Sequence, residues 1–211
     1  MKSKYLKQEN QLYQISCKPR KIHCAKEFKY PSNKTIRDNL KKIMQDIKSG
    51  ANINDLLSRQ YEKDKYDLYW RNYKIHHLHI PENSISTRSK YRLFVYFALS
   101  EAYLLYVDES HDDELFKRNK ILEIIESNGW TDRLLTTINI SNDSVPNIPE
   151  NMQDKIRKEG ICIFQKIGHN IIMPMPSVYV NNELVSVECF LQDLREQNAK
   201  AKCIENETYH S

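Results

Sequence analysis

Tyr73-Lys74-Ile75-His76-His77-Leu78-His79-Ile80 is the stretch on which the fold turns. Read at period two, it places Ile75, His77 and His79 on one face of a strand and His76, Leu78 and Ile80 on the other. Pro81 closes it. After a polar loop through Ser84 and Ser86, Tyr91 to Ala98 is dense in aromatic and branched side chains, which suits a buried strand. Ser100 and Glu101 interrupt that run and Ala102 to Val107 resumes it, so the spacing predicts a hairpin. One buried helix over 93–107 is the alternative, and the content of Tyr, Phe and Val favours strands.

Upstream, Ile36, Leu40, Ile43, Met44 and Ile47 recur at helical spacing, with Ser32 or Asn33 to cap the start and Gly50 to end it. A shorter helix is predicted from Asn54 to Gln60. Residues 1–31 show no clean period, and Lys18, Arg20, Lys21, Lys26 and Lys29 read as a basic arm ending at Pro31. Cys17, His23 and Cys24 lack a second pair at ligand spacing, so they read as surface residues rather than a metal site.

Downstream, an acidic stretch from Asp108 to Glu114 contains His111. A helix from Glu114 to Ser127 follows, its acidic start suiting the helix dipole, and Arg133 to Ile140 reads as a strand. Residues 141–160 form a polar connector and a short basic helix. Ile161 to Lys166 and Asn170 to Met173 flank Gly168-His169 as a hairpin, and Tyr179-Val180 and Leu184-Val185 flank the turn dipeptide Asn181-Asn182. A last helix is predicted from Ser186, with a polar tail after Lys200. The expected fold class is therefore α+β: N-terminal helices packed on a small antiparallel β-sheet, with C-terminal β-hairpins and a terminal helix. The organisation is an arm (1–31), a helix-plus-sheet core (32–140) and an elaboration of the same domain (141–211).

Composition narrows the function classes. The 211 residues are 40% hydrophobic and 28% charged, within the globular range. The longest apolar run, Leu93 to Leu99, falls far short of the roughly 20 residues of a membrane span. The Lys-rich start has no apolar core of a secretory signal, and five cysteines without a Cys-x-x-Cys pair favour reduced thiols. A cytoplasmic protein is expected. The net charge of +4 is unevenly spread: +9 over residues 1–50, +3 over 51–100, −7 over 101–150 and −1 over 151–211. A basic first half with interleaved aromatics suits a polyanion, though a Lys-rich chain has the same look without one.

His77 and His79 are set side by side by the strand period, roughly 6–7 Å apart. Two imidazoles so placed suit phosphate chemistry, one accepting a proton while the other donates. They equally suit a metal, with His111 as a third ligand, or an ordinary hydrogen-bonded strand face. Arg88 and Arg92 lie where a guanidinium can reach that face and hold a phosphate. Tyr73, Tyr91 and Tyr96 are candidates for stacking on bases, or for the core. Arg71-Asn-Tyr-Lys-Ile-His76 matches the Arg-x4-His spacing of the HEPN ribonucleases, although there both residues act from a helix.

The segment Asp67 to Trp130 resembles a group of uncharacterised, mobile-element-associated bacterial proteins. The matching stretches are Asp67-Leu68-Tyr69, Ile75-His76-His77-Leu78-His79-Ile80, Arg88 through Leu93-Phe94, Ala102 to Val107 with His111, and Ile124 through Asn128-Gly129-Trp130. The departures are Tyr73-Lys74 where those proteins have Trp-Gly, and the extra Gly129. A helix followed by a small sheet carrying His and Arg is similar to the RelE-like, barnase–EndoU–colicin ribonucleases, an analogy of fold and residue chemistry.

The expectation is a metal-independent endoribonuclease of toxin or phage-defence type, needing no cofactor. Its catalytic candidates are His77, His79, Arg88, His111, Arg92 and His76; its RNA-binding candidates are Lys18, Arg20, Lys21, Arg71, Tyr73 and Lys74. RNA is the expected substrate and a cognate antitoxin or defence-system protein the expected partner. The alternatives are a metal-dependent phosphoesterase using the same histidines and a non-catalytic, antitoxin-like binding module.

Overall fold

A computed structural model of the chain describes residues 13–57, 68–82, 89–109, 119–138, 152, 164–174, 177–180 and 183–186. The predicted terminal helix, most of the 141–160 connector, Arg88 and His111 lie outside these residues.

Helix α1 spans Lys34–Ser49 and buries Ile36, Leu40, Ile43 and Ile47, the stripe its period predicts. Asn33 Oδ1 accepts from the Ile36 N–H at 3.3 Å, satisfying one orphan donor of the first turn. Gly50 ends it at φ 77° and ψ 24°, its N–H donating to the Asp46 carbonyl. A Cβ there would stand 2.6 Å from the backbone of Lys18 and Pro19, so this close approach also needs glycine. Of the shorter predicted helix, a 3-10 turn covers Asn54–Leu56.

Helix α2 (Leu68–Tyr73) corrects the expected start of the histidine strand: Tyr73 closes a helix. Lys74 follows in the left-handed region at φ 58°, its N–H donating to the Trp70 carbonyl at 2.8 Å. Strand β2 is then Ile75–His79. Strands β3 (Arg92–Phe97) and β4 (Glu101–Asp108) form the predicted hairpin.

The predicted basic arm hides an element. Lys21–Cys24 is strand β1, which joins β4 in parallel, so the sheet is mixed rather than purely antiparallel, in the order β1-β4-β3-β2. Four residues with an exposed-half-half-exposed pattern carry no period, which is why this edge strand is silent in the sequence.

Two layers cover the sheet. α1 packs on Leu78, Ile80, Leu93, Val95 and Leu104. The opposite face, with Ile75, Phe94, Tyr96, Tyr103 and Leu105, is covered by helices α3 (Lys120–Ser127) and α4 (Thr131–Leu134) and by Ile167 and Ile172. The register shift at Phe94/Val95 is the bulge that brings Leu105 as well as Tyr103 and Tyr106 to that face. α3 begins at Lys120 after Asn119 in the left-handed region, and residues 114–118 of the expected helix lie outside the described residues. Arg133 lies in α4, so the strand expected from Arg133 is shortened to β5, Thr136–Ile138. β5 pairs with β7 (Asn170–Met173), which forms the predicted hairpin with β6 (Gln165–Ile167). β8 (Ser177–Val180) and β9 (Glu183–Ser186) pair antiparallel. The fold is α+β, and among the described residues no helix is long and apolar enough to cross a membrane.

Candidate functional site

The register across three strands assembles the site. His79 stands opposite Arg92, Arg92 opposite Asp108, and His77 opposite Phe94. Directly opposed residues share a face, so His77, His79, Arg92 and Asp108 gather at one end of the sheet, on the side covered by α3.

The His77 and His79 rings lie 5.6 Å apart, edge to face. His79 Nδ1 is 3.1 Å from the Ser89 carbonyl oxygen. A carbonyl only accepts, so Nδ1 carries the proton and the hydrogen bond fixes the orientation of the ring. Ser89 is itself anchored: its hydroxyl donates to the Ile80 carbonyl and accepts from the Tyr91 N–H at 3.1 Å. His77 is only 8% exposed and packs near Phe94. This end of the sheet therefore offers an oriented, half-buried imidazole beside a nearly buried one.

Arg92 does lie on the histidine face, as its position suggested, but its guanidinium is engaged within the fold. Its Nε and Nη2 both donate to Asp108 Oδ2, at 3.0 and 2.6 Å, which neutralises its charge inside the fold. Tyr106, opposite Phe94 in the register, accepts from Lys120 Nζ at 2.8 Å, and ahead of α3 Asn119 Nδ2 donates to Gln165 Oε1 at 2.7 Å. Tyr106 and Lys120 carry no sequence signal for a place at this end of the sheet, because only the strand register and the returning helix bring them here.

The remaining candidates lie elsewhere. His76 points to the opposite face, where Nε2 donates to the Tyr13 carbonyl at 3.0 Å and its ring stacks on Tyr13. Tyr73 is buried among Tyr69 and its core neighbours, and Tyr91 and Tyr96 are buried too, so none is placed to stack on a base. Lys74 Nζ rests 4.4 Å over the Trp70 ring. Arg20 is buried at 8% exposure and donates to the carbonyls of Ala98, Ser16 and Lys18, which commits it to the protein's own backbone rather than to RNA.

Lys18 and Lys21 are exposed, but at the far end of the sheet: Lys21 pairs with Glu101 at the start of β4, while Asp108 ends it. At ~3.3 Å per residue that is roughly 23 Å along the strand. Arg71 lies in α2, and Arg88 and His111 fall outside the described residues. Among the described residues no three His, Cys, Asp or Glu side chains are grouped to hold a metal ion. Compared with protein-family models, curated proteins and solved structures, the chain matches none.

Proposed function

We propose that the chain is a metal-independent endoribonuclease of toxin or phage-defence type, with His79 and His77 as its acid–base pair. The observation that carries this reading is the His79–Ser89 hydrogen bond, which orients a ring held 5.6 Å from a second imidazole. His79 takes the proton of a ribose 2′-hydroxyl, O2′ attacks the adjacent phosphorus, and the P–O5′ bond breaks. Protonated His77 supplies the proton to the leaving 5′-oxygen, and the product carries a 2′,3′-cyclic phosphate. Because Arg92 is held by Asp108, Arg88 is the arginine assigned to the charge of the phosphorane. Such an activity in the cytoplasm calls for restraint by a cognate antitoxin or defence-system partner.

A second reading has its own support. The low exposure of His77 and the buried Arg92–Asp108 pair suit a polar core in a non-catalytic binding module.

The two readings part on one assay: cleavage of single-stranded RNA in EDTA, with product ends identified by mass spectrometry. Cyclic phosphate ends, reduced at least ~100-fold by His79→Ala, are expected. Intact RNA favours the binding module, and cleavage only after a metal is restored favours a metal-dependent phosphoesterase.

A further inference from the structure

A second cluster of titratable groups occupies the other end of the same sheet face. His23 on β1 sits opposite Tyr103 on β4, and its Nε2 lies 3.0 Å from Glu101 Oε1. Glu101 Oε2 accepts from the Tyr103 hydroxyl at 2.9 Å and from Arg133 Nη2 at 2.5 Å. The His23 ring stacks on Tyr103, with centroids 4.9 Å apart and planes 16° from parallel. Tyr103 in turn meets the edge of Trp130 at 5.0 Å and carries the Arg133 guanidinium at 5.5 Å.

This arrangement holds one imidazole in one orientation from two sides. The carboxylate only accepts, so His23 Nε2 carries the proton and Nδ1 presents the lone pair. Among the described residues Nδ1 has no protein partner. Glu101 therefore plays toward His23 the part that a carboxylate plays in a catalytic dyad: it fixes the tautomer and stabilises the imidazolium that forms. An exposed ion pair is worth little to stability, about 0–1 kcal/mol, so folding alone gives weak cause to gather three donors on one carboxylate.

Accessibility and charge separate this cluster from His77 and His79. The side chains of His23 and Arg133 are 27% and 59% exposed, whereas that of Arg92 is 3% exposed. Glu101 engages Arg133 through Nη2, leaving further guanidinium donors to face an anion. Lys21, exposed, is the direct cross-strand partner of Glu101, and exposed Lys18 precedes β1 at the same end. Lys18 and Lys21, expected to draw in RNA, thus lie ahead of His23 at the same end of the sheet.

We infer that His23, Glu101 and Arg133 form a second acid–base centre, whose substrate is a ribose 2′-hydroxyl next to a phosphodiester. His23 Nδ1 accepts the 2′-hydroxyl proton and O2′ bonds to phosphorus. The P–O5′ bond breaks, the leaving oxygen takes a proton from water, and Arg133 holds a non-bridging phosphate oxygen. The substrate class rests on the ribonuclease reading; the residues are different ones.

Cleavage of single-stranded RNA by the full chain, by His79→Ala, by His23→Gln and by the double variant tests this, with circular dichroism confirming that each is folded. His79→Ala is expected to retain cleavage that the added His23→Gln cuts at least tenfold. A double variant as active as His79→Ala, or a His79→Ala protein with no activity left, overturns the inference. If His79→Ala is inactive while His23→Gln is fully active, the His79 reading stands alone. If His79→Ala is fully active and the double variant inactive, the edge centre stands alone. An inactive wild-type chain overturns both.

Discussion

Arg92 and Asp108, 16 residues apart, meet across β3 and β4 as a buried ion pair, both side chains 3% exposed. Opposite charges in this setting offset each other's desolvation, and removing one leaves the other stranded. Asp108→Ala is therefore expected to lower unfolding stability by about 3–5 kcal/mol in a urea titration. Replacing both at once, as Arg92→Met with Asp108→Leu, is expected to recover most of that loss. A single substitution costing under ~1 kcal/mol would place the pair in solvent instead.

Lys74 bridges α2 and β2 with φ 58°, a conformation costing an L-residue other than glycine roughly 1–2 kcal/mol. Against this, the contact of Lys74 with Trp70 contributes about 0.5–1 kcal/mol. Lys74→Gly is expected to raise the denaturation midpoint slightly, and Lys74→Val to lower it. Should Gly lower it as much as Val, the ring contact outweighs the backbone.

Gly50 faces the opposite test. At φ 77° and with the Lys18–Pro19 backbone 2.6 Å from any added Cβ, Gly50→Ala meets strain and a clash together. A loss of roughly 2 kcal/mol or more is expected from thermal or urea unfolding. A neutral effect would detach the segment before β1 from the end of α1.

Glu101 predicts a pH dependence. The Tyr103 hydroxyl first, then His23 and Arg133, hold its carboxyl below the usual carboxylate range. A group with a depressed folded pKa adds stability above its unfolded value, about 4.3, and loses it as pH falls through the folded value. The stability gap between the wild-type chain and Glu101→Gln is thus expected to narrow on acidification from about pH 6 to below about pH 4. A gap that stays constant across this range would contradict the three-donor arrangement.

The legible parts of the fold are those with a period. Ile36, Leu40, Ile43 and Ile47 all face inward on α1, and the strand alternation sorts Ile75 from Leu78 to opposite faces of the sheet. His77 and His79 were readable as neighbours for the same reason. What local pattern cannot carry is a partner distant in the chain. Asp108 for Arg92 needs the hairpin register, and Glu101 for His23, 78 residues away, needs a parallel pairing of a strand too short to show itself. Tyr73 misleads because an aromatic at the head of a strand pattern equally ends a six-residue helix once Lys74 adopts a positive φ.

The most direct test of the central claim measures cleavage of a 5′-labelled single-stranded RNA in EDTA by wild-type, His79→Ala and His77→Ala proteins matched for thermal stability. The account predicts 2′,3′-cyclic phosphate products from the wild type and a fall of at least ~100-fold when the oriented His79 imidazole is removed. Full cleavage by both folded variants, or none by the wild type, would contradict it.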